Sequence, residues 1–143
     1  MKLSSRGHYG LQAMVYLART GLKKPIPLKR IANDEHIPEQ FLEQIFVDLR
    51  KAGLVNSVRG SRGGYHLANN PEQMSVGDIV RVLEGSIKII DCIEDEDGDC
   101  CEKTEDCSTK LVWDRVRSSM NSVLDGLTLA DLTVGGKNII ESL

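Results

Sequence analysis

No stretch of this chain comes near the roughly 20 consecutive apolar residues that a membrane span requires. The N-terminal MKLSSRGHYGLQAMVYLART has Gly10, Gln12 and Arg19 where a secretory leader needs an unbroken apolar core. These absences argue against membrane insertion and export, and they predict a cytoplasmic protein in which thiols stay reduced. A C-x-x-C dithiol is missing too, although the chain holds four cysteines, and no histidine lies near them in sequence. A thiol redox enzyme therefore has little to work with. What remains is ordinary for a folded chain: 143 residues, 41% hydrophobic and 27% charged. That length suffices for one domain, or a small domain with an appendage, and for a core without disulfide staples.

Each half of the chain is short of one sign of charge. Residues 1–66 carry 11 Lys and Arg against 5 Asp and Glu, whereas residues 67–143 carry 7 against 16. A basic half joined to an acidic half predicts a polyanion-binding module followed by a module of different purpose.

The basic half is strongly patterned. Leu11, Met14, Val15 and Ala18 recur at helical spacing behind Ser4 and Ser5, either of which can cap, and Gly21 is placed to end the helix. PIPLKRIANDEHIP reads as a short helix over about 28–34 and a turn ended by Pro38, which suits the first turn of the next helix. In EQFLEQIFVDLRKAG, Leu42, Ile45, Phe46 and Leu49 form a core stripe, and Gln40, Glu43, Gln44, Val47 and Lys51 lie on the other side. Two short amphipathic helices with a tight turn make a helix-turn-helix. LVNSV and YHLA then read as strands around RGSRGG, where Arg59 and Arg62 stand among Gly60, Gly63 and Gly64. A basic, glycine-rich hairpin directly after a helix-turn-helix predicts a wing, and the whole order predicts a module for double-stranded DNA.

The residue types fit base readout. Glutamine can pair with adenine, glutamate can accept from the cytosine amino group, and a small apolar side chain can meet the thymine methyl. Gln40, Gln44, Glu43 and Val47 supply these groups, and Glu43 can also act by repelling phosphates at a wrong site. Arginine in the wing suits a narrow, electronegative minor groove. His36 and His66 read as surface or DNA-proximal residues. In MSVGDIVRVLEG, Ser75 is a cap with Asp78 as its capping-box partner, and Ile79, Val82 and Leu83 are the apolar face of a closing helix.

In the acidic half, a helix is expected from about 108 to 125. Trp113, Val116, Met120 and Val123 form an a/d seam, with Leu127 marginal beyond Gly126. A seam of two heptads fits a helix that pairs with its twin in a homodimer, and a two-fold dimer can present two recognition helices to a palindromic operator. TLADLTVGGKNIIESL reads as a short helix, a Gly-Gly break and a tail.

Between the halves lies DCIEDEDGDCCEKTEDC, an acidic stretch that holds Cys92, Cys100, Cys101 and Cys107. A calcium loop fails here: with Gly98 as its glycine, the first and last ligand positions fall on Ile93 and Thr104. The spacing C-x7-CC-x5-C lacks the paired knuckles of structural zinc sites, although four thiolates could still hold zinc. Thiolate ligation of an iron–sulfur cluster suits an irregular loop better.

These pieces resemble the IscR-like family of bacterial winged-helix regulators, which includes iron–sulfur, nitric-oxide and cysteine-metabolism sensors. The resemblance runs through MKLSSRGHYGLQAM, IPLKRIA, FLEQIFVDLRKAGLV, SVRGSRGGYHLA, VGDIVRVLEG and CSTKLVWDRV. It implies a mainly α fold with a small β wing. Residues 1–86 would form the winged-helix DNA-binding domain, 87–107 a cysteine-rich cluster-binding loop, and 108–143 a long dimerisation helix with its tail. It also implies three cysteine ligands to a 2Fe–2S cluster, which match Cys92, Cys101 and Cys107. In one group of the family a histidine follows the last cysteine by three; that position is Lys110 here, and an ammonium cannot ligate. Other members draw the fourth ligand from the first helix of the partner subunit near residue 8, so the resemblance implies His8 in that role, with Cys100 as its competitor. The residues themselves point to Gln40, Glu43, Gln44, Lys51, Arg59, Arg62, Gly60 and Gly63 as the DNA-contacting set. The alternatives within the resemblance are a cluster-free thiol or zinc regulator of sulfur metabolism, and a regulator that also binds a metabolic enzyme.

Overall fold

The computed structural model describes residues 3–20, 24–86 and 108–134. Within them the chain is mostly helical, with one antiparallel pair of strands. Helix α1 (Ser5–Thr20) is followed by α2 (Leu28–Glu35) and α3 (Glu39–Lys51). Strands β1 (Val55–Val58) and β2 (Gly64–Leu67) form the wing, and a 3-10 turn (Pro71–Gln73) leads into α4 (Val76–Glu84). Beyond the cysteine-bearing stretch come α5 (Ser108–Gly126) and the short α6 (Leu129–Thr133). No described helix is long and apolar enough to cross a membrane.

The core is built around α3. Its stripe Leu42, Ile45, Phe46 and Leu49 is entirely buried, and it packs with Met14 and Leu17 of α1, Ile31 of α2 and Ile79 of α4. Helix α1 buries Met14 and Ala18 of its expected stripe and packs Leu11 and Val15 against the core, and its contact face extends further over small residues. Gly10, Ala13, Met14 and Leu17 are buried, whereas Leu11 and Val15 are only half-buried. The reason is steric. A Cβ at Gly10 would collide with the Leu83 side chain, so the missing side chain lets α4 press against α1. Small residues thus share the contact face with the expected apolar stripe. Ser4, not Ser5, is the cap: its hydroxyl accepts from the Gly7 N–H at 3.3 Å.

The two-stranded wing pairs Val55 with Leu67 and Val58 with Gly64. It is tied to the body by a third extended residue. The Ile26 N–H donates to the Tyr65 carbonyl at 2.9 Å, and the Tyr65 N–H donates back to Ile26 at 2.8 Å. Gly64 is required beside that bridge, because a Cβ there would meet the Ile26 backbone.

The Ser75 hydroxyl caps α4 through the Asp78 N–H at 3.0 Å, but the Asp78 carboxylate turns to Arg81 at 3.5 Å, so the expected reciprocal box is not the one formed. A complete capping box occurs instead at α6. There the Asp131 carboxylate accepts from the Thr128 N–H at 2.9 Å, and the Thr128 hydroxyl accepts from the Asp131 N–H at 3.3 Å. Just past α5, the Leu127 carbonyl accepts from the Val76 N–H at 2.8 Å, and Leu129 of α6 is wholly buried in the same core as α1 and α3.

Candidate nucleic-acid interface

The turn between α2 and α3 is short because the chain reverses at one left-handed residue. His36 takes φ 56° and ψ 43°. The Ile37 N–H bonds the Ala32 carbonyl at 3.0 Å, which closes the end of α2, and Ile37 itself is buried. A non-glycine residue in this region costs on the order of 1 kcal/mol, offset here by the capping bonds and by burial of Ile37. Pro38 precedes α3 and needs no N–H partner.

Because the α3 stripe is fully buried, the opposite side must face outward. Gln40, Glu43, Gln44 and Lys51 are all exposed, and Val47 is half-buried. The wing extends from the same unit, with Arg59, Gly60, Ser61 and Arg62 exposed at its tip and Gly63 half-buried. Gly60 has φ 109°, and a Cβ at Gly63 would collide with the Val58 carbonyl, so neither position accepts a side chain at the present turn. His36 is exposed, and the His66 ring lies 3.0 Å from the Leu67 carbonyl.

Several polar ties hold the helices in place, and the sequence alone did not expose them. Arg6 pairs with Asp48 of α3 and donates from Nε to the Leu83 carbonyl at 3.1 Å. Gln12 donates to Glu35 at 2.7 Å. The Tyr16 hydroxyl bonds Asp34 of α2, and its pKa lies above the ordinary phenol value, first because it is buried and then because the carboxylate accepts its proton. Such pairs link residues far apart in sequence, so no local pattern marks them. One clue did exist: a cation in the first turn of a helix opposes the helix dipole, and so has reason to find a partner elsewhere. Phe41 was also passed over. It is an exposed aromatic of α3 set edge-on to Tyr9 at 5.7 Å.

His8 lies exposed on α1, with its ring 5.9 Å from that of Tyr9. It borders a shallow groove with Leu11, Gln12, Val15, Arg19, Glu35 and Leu132. Cys92, Cys100, Cys101 and Cys107 lie outside the described residues, so the geometry does not bring them together with His8 or hold them apart. Lys110 is half-buried near the start of α5. Along α5 no described residue is buried, and Trp113, Val116 and Val123 remain 37%, 39% and 47% exposed, with Met120 half-buried.

A helix-turn-helix with a basic two-stranded wing defines a DNA-binding transcription regulator of the winged-helix class. Comparison with known proteins narrows this. A family model described as Rrf2, iron-dependent transcriptional regulator, matches residues 3–135. The HTH-type transcriptional regulator CymR of Bacillus subtilis is 42% identical over 132 residues, 92% of this chain and 89% of that protein. The solved structure of CymR, the global cysteine regulator of B. subtilis, superimposes with a TM-score of 0.79 at 41% identity, covering 94% of this chain and 97% of that one. The structure of T. potens IscR does so with a TM-score of 0.74 at 46% identity, covering 92% and 85%. The chain belongs to the Rrf2 family of transcription regulators. These relatives are transcription regulators rather than enzymes.

Proposed function

We propose that this protein is a homodimeric regulator whose affinity for a palindromic operator is set by an iron–sulfur cluster, of 2Fe–2S type. The observation that carries this reading is the cysteine set itself: four thiols in one short segment that joins the DNA-reading unit to α5. A family model described as iron-dependent adds support. The donor chemistry fits. Cys92, Cys101 and Cys107 offer three soft thiolates, and the fourth donor is the partner subunit's His8 or Cys100. His8 suits the role because its exposed ring nitrogens have no hydrogen-bond partner among the described residues. When bound, the cluster supplies bonds that oxidation, nitrosylation or iron loss can break.

The remaining work falls to the chain. Gln40, Glu43 and Gln44 read the major groove, Arg59 and Arg62 enter or flank the minor groove, and Lys51 takes phosphate. Gly60 and Gly63 let the wing backbone approach the duplex. Trp113, Val116, Met120 and Val123 form the seam between subunits. The exposure of that stripe along a helix with no buried residue supports the pairing.

A second reading has its own support. Similarity to the cysteine regulator of B. subtilis favours a cluster-free protein that responds through thiol oxidation or zinc. Anaerobic purification followed by visible absorbance, iron and acid-labile sulfide assays separates the two. A coloured protein with iron and sulfide is expected, with the absorbance altered in either His8→Ala or Cys100→Ala. A colourless, iron-free protein that cannot be reconstituted leaves the thiol or zinc reading in place.

A further inference from the structure

Arg6 joins three helices. Its Nε donates to the Leu83 carbonyl in the last turn of α4 at 3.1 Å, and its Nη2 pairs with Asp48 of α3. The pair is only 30% and 29% exposed. α4 answers in kind. One Glu84 carboxylate oxygen accepts from the Ser4 N–H at 3.1 Å and the Gly7 N–H at 3.0 Å, and also from the Ser4 hydroxyl. Each helix thus caps the other's end, with an anion at the N-terminus of α1 and a cation at the C-terminus of α4, the arrangement both dipoles favour. A Cβ at Gly7 would collide with Glu84, so the glycine belongs to the same knot.

Asp48 lies one helical turn from Gln44 on α3. The buried stripe of α3 sets how deep the helix sits, but apolar contact has no direction and tolerates small rotations. A charged, hydrogen-bonded pair has direction. We propose that Arg6 is a specificity-determining positioning residue. By referring Asp48 to the last turn of α4, it fixes the rotation of α3 about its own axis and so the aim of Glu43 and Gln44 at base edges. This rests on α3 being the helix that reads the operator.

The test uses the full-length protein, an operator duplex selected by the wild type from a random library, and a scrambled duplex of equal length. Arg6→Gln should weaken the selected duplex by on the order of tenfold, the scale of one lost base-pair discrimination. Affinity for the scrambled duplex and the salt slope should not change. Asp48→Ala should do the same, and the double variant should be no worse than either single one. Arg6→Lys and Asp48→Asn, milder changes, should lie between. If Arg6→Gln weakens both duplexes and flattens the salt slope by about one ion, Arg6 is a phosphate contact and the inference is overturned. It is also overturned if the variants lower the melting temperature but keep the selected-to-scrambled ratio at a temperature where they are folded. Gln44→Ala run in parallel separates the two levels. If it leaves the ratio intact, α3 is not the reading helix and both fall; if it lowers the ratio while Arg6→Gln does not, only the inference falls.

Discussion

Helices α3 and α5 are both amphipathic, yet they end in opposite conditions. α3 buries Leu42, Ile45, Phe46 and Leu49 completely and keeps its polar side in solvent. α5 is longer, 19 residues against 13, and none of its residues is buried. An apolar stripe therefore announces that a helix has a partner without saying which molecule supplies it. For α3 the partner is the chain's own core. For α5 the second subunit is the proposed partner, because Leu111, Val112, Trp113, Val116 and Val123 are all left exposed.

The sharpest way to break this contrast is to disrupt each stripe in turn and see which loss unfolds the chain. Val116→Asp with Val123→Asp puts unpaired carboxylates into the proposed subunit seam at a cost of several kcal/mol. Sedimentation should show monomers at concentrations where the wild type is dimeric, while far-ultraviolet circular dichroism stays close to wild type. A double variant that remains dimeric would remove the seam from the proposal. Phe46→Ala makes the opposite cut. It should cost about 3–5 kcal/mol of folding free energy in urea unfolding, because it empties a fully buried ring site. Gly63→Ala acts on the wing alone. The collision with the Val58 carbonyl should cost about 1–3 kcal/mol and weaken DNA binding in a fragment-shift assay while leaving oligomeric state untouched. Ser75→Ala is the mildest, with about 1 kcal/mol expected from loss of the α4 cap and no change in dimerisation.

The contrast also explains what could be read from the residues beforehand. The helix-turn-helix and wing were legible because their signals are local: a 3.6-residue stripe of large apolar side chains, a turn punctuated by Pro38, and a glycine-arginine tip. The contact face of α1 was legible only in part: Met14 and Ala18 stand in its periodic stripe, but Gly10 and Ala13 pack by being small and register on no scale of bulk. The Ile26–Tyr65 bridge was missed because a single extended residue has no period. Arg6 and Asp48 were missed because 42 residues separate them. In the candidate site, the exposed set Gln40, Glu43, Gln44, Lys51, Arg59 and Arg62 stood out by type and position. Its orienting residues were silent.

One feature bears on how this protein can be divided. From beyond the cysteine-bearing segment the chain supplies Leu129 of α6, which lies at zero exposure in the core with residues of α1, while α6 also contacts the 3-10 turn. A fragment ending at residue 86 would carry every DNA-contacting candidate and yet leave a leucine-sized hole. Such a hole costs about 2–5 kcal/mol, a large fraction of a small domain's stability. The winged-helix unit is thus keyed by a leucine from beyond the cysteine-bearing segment. A stop codon between residue 86 and Leu129 would therefore weaken the DNA-binding unit itself, although it removes none of that unit's own residues.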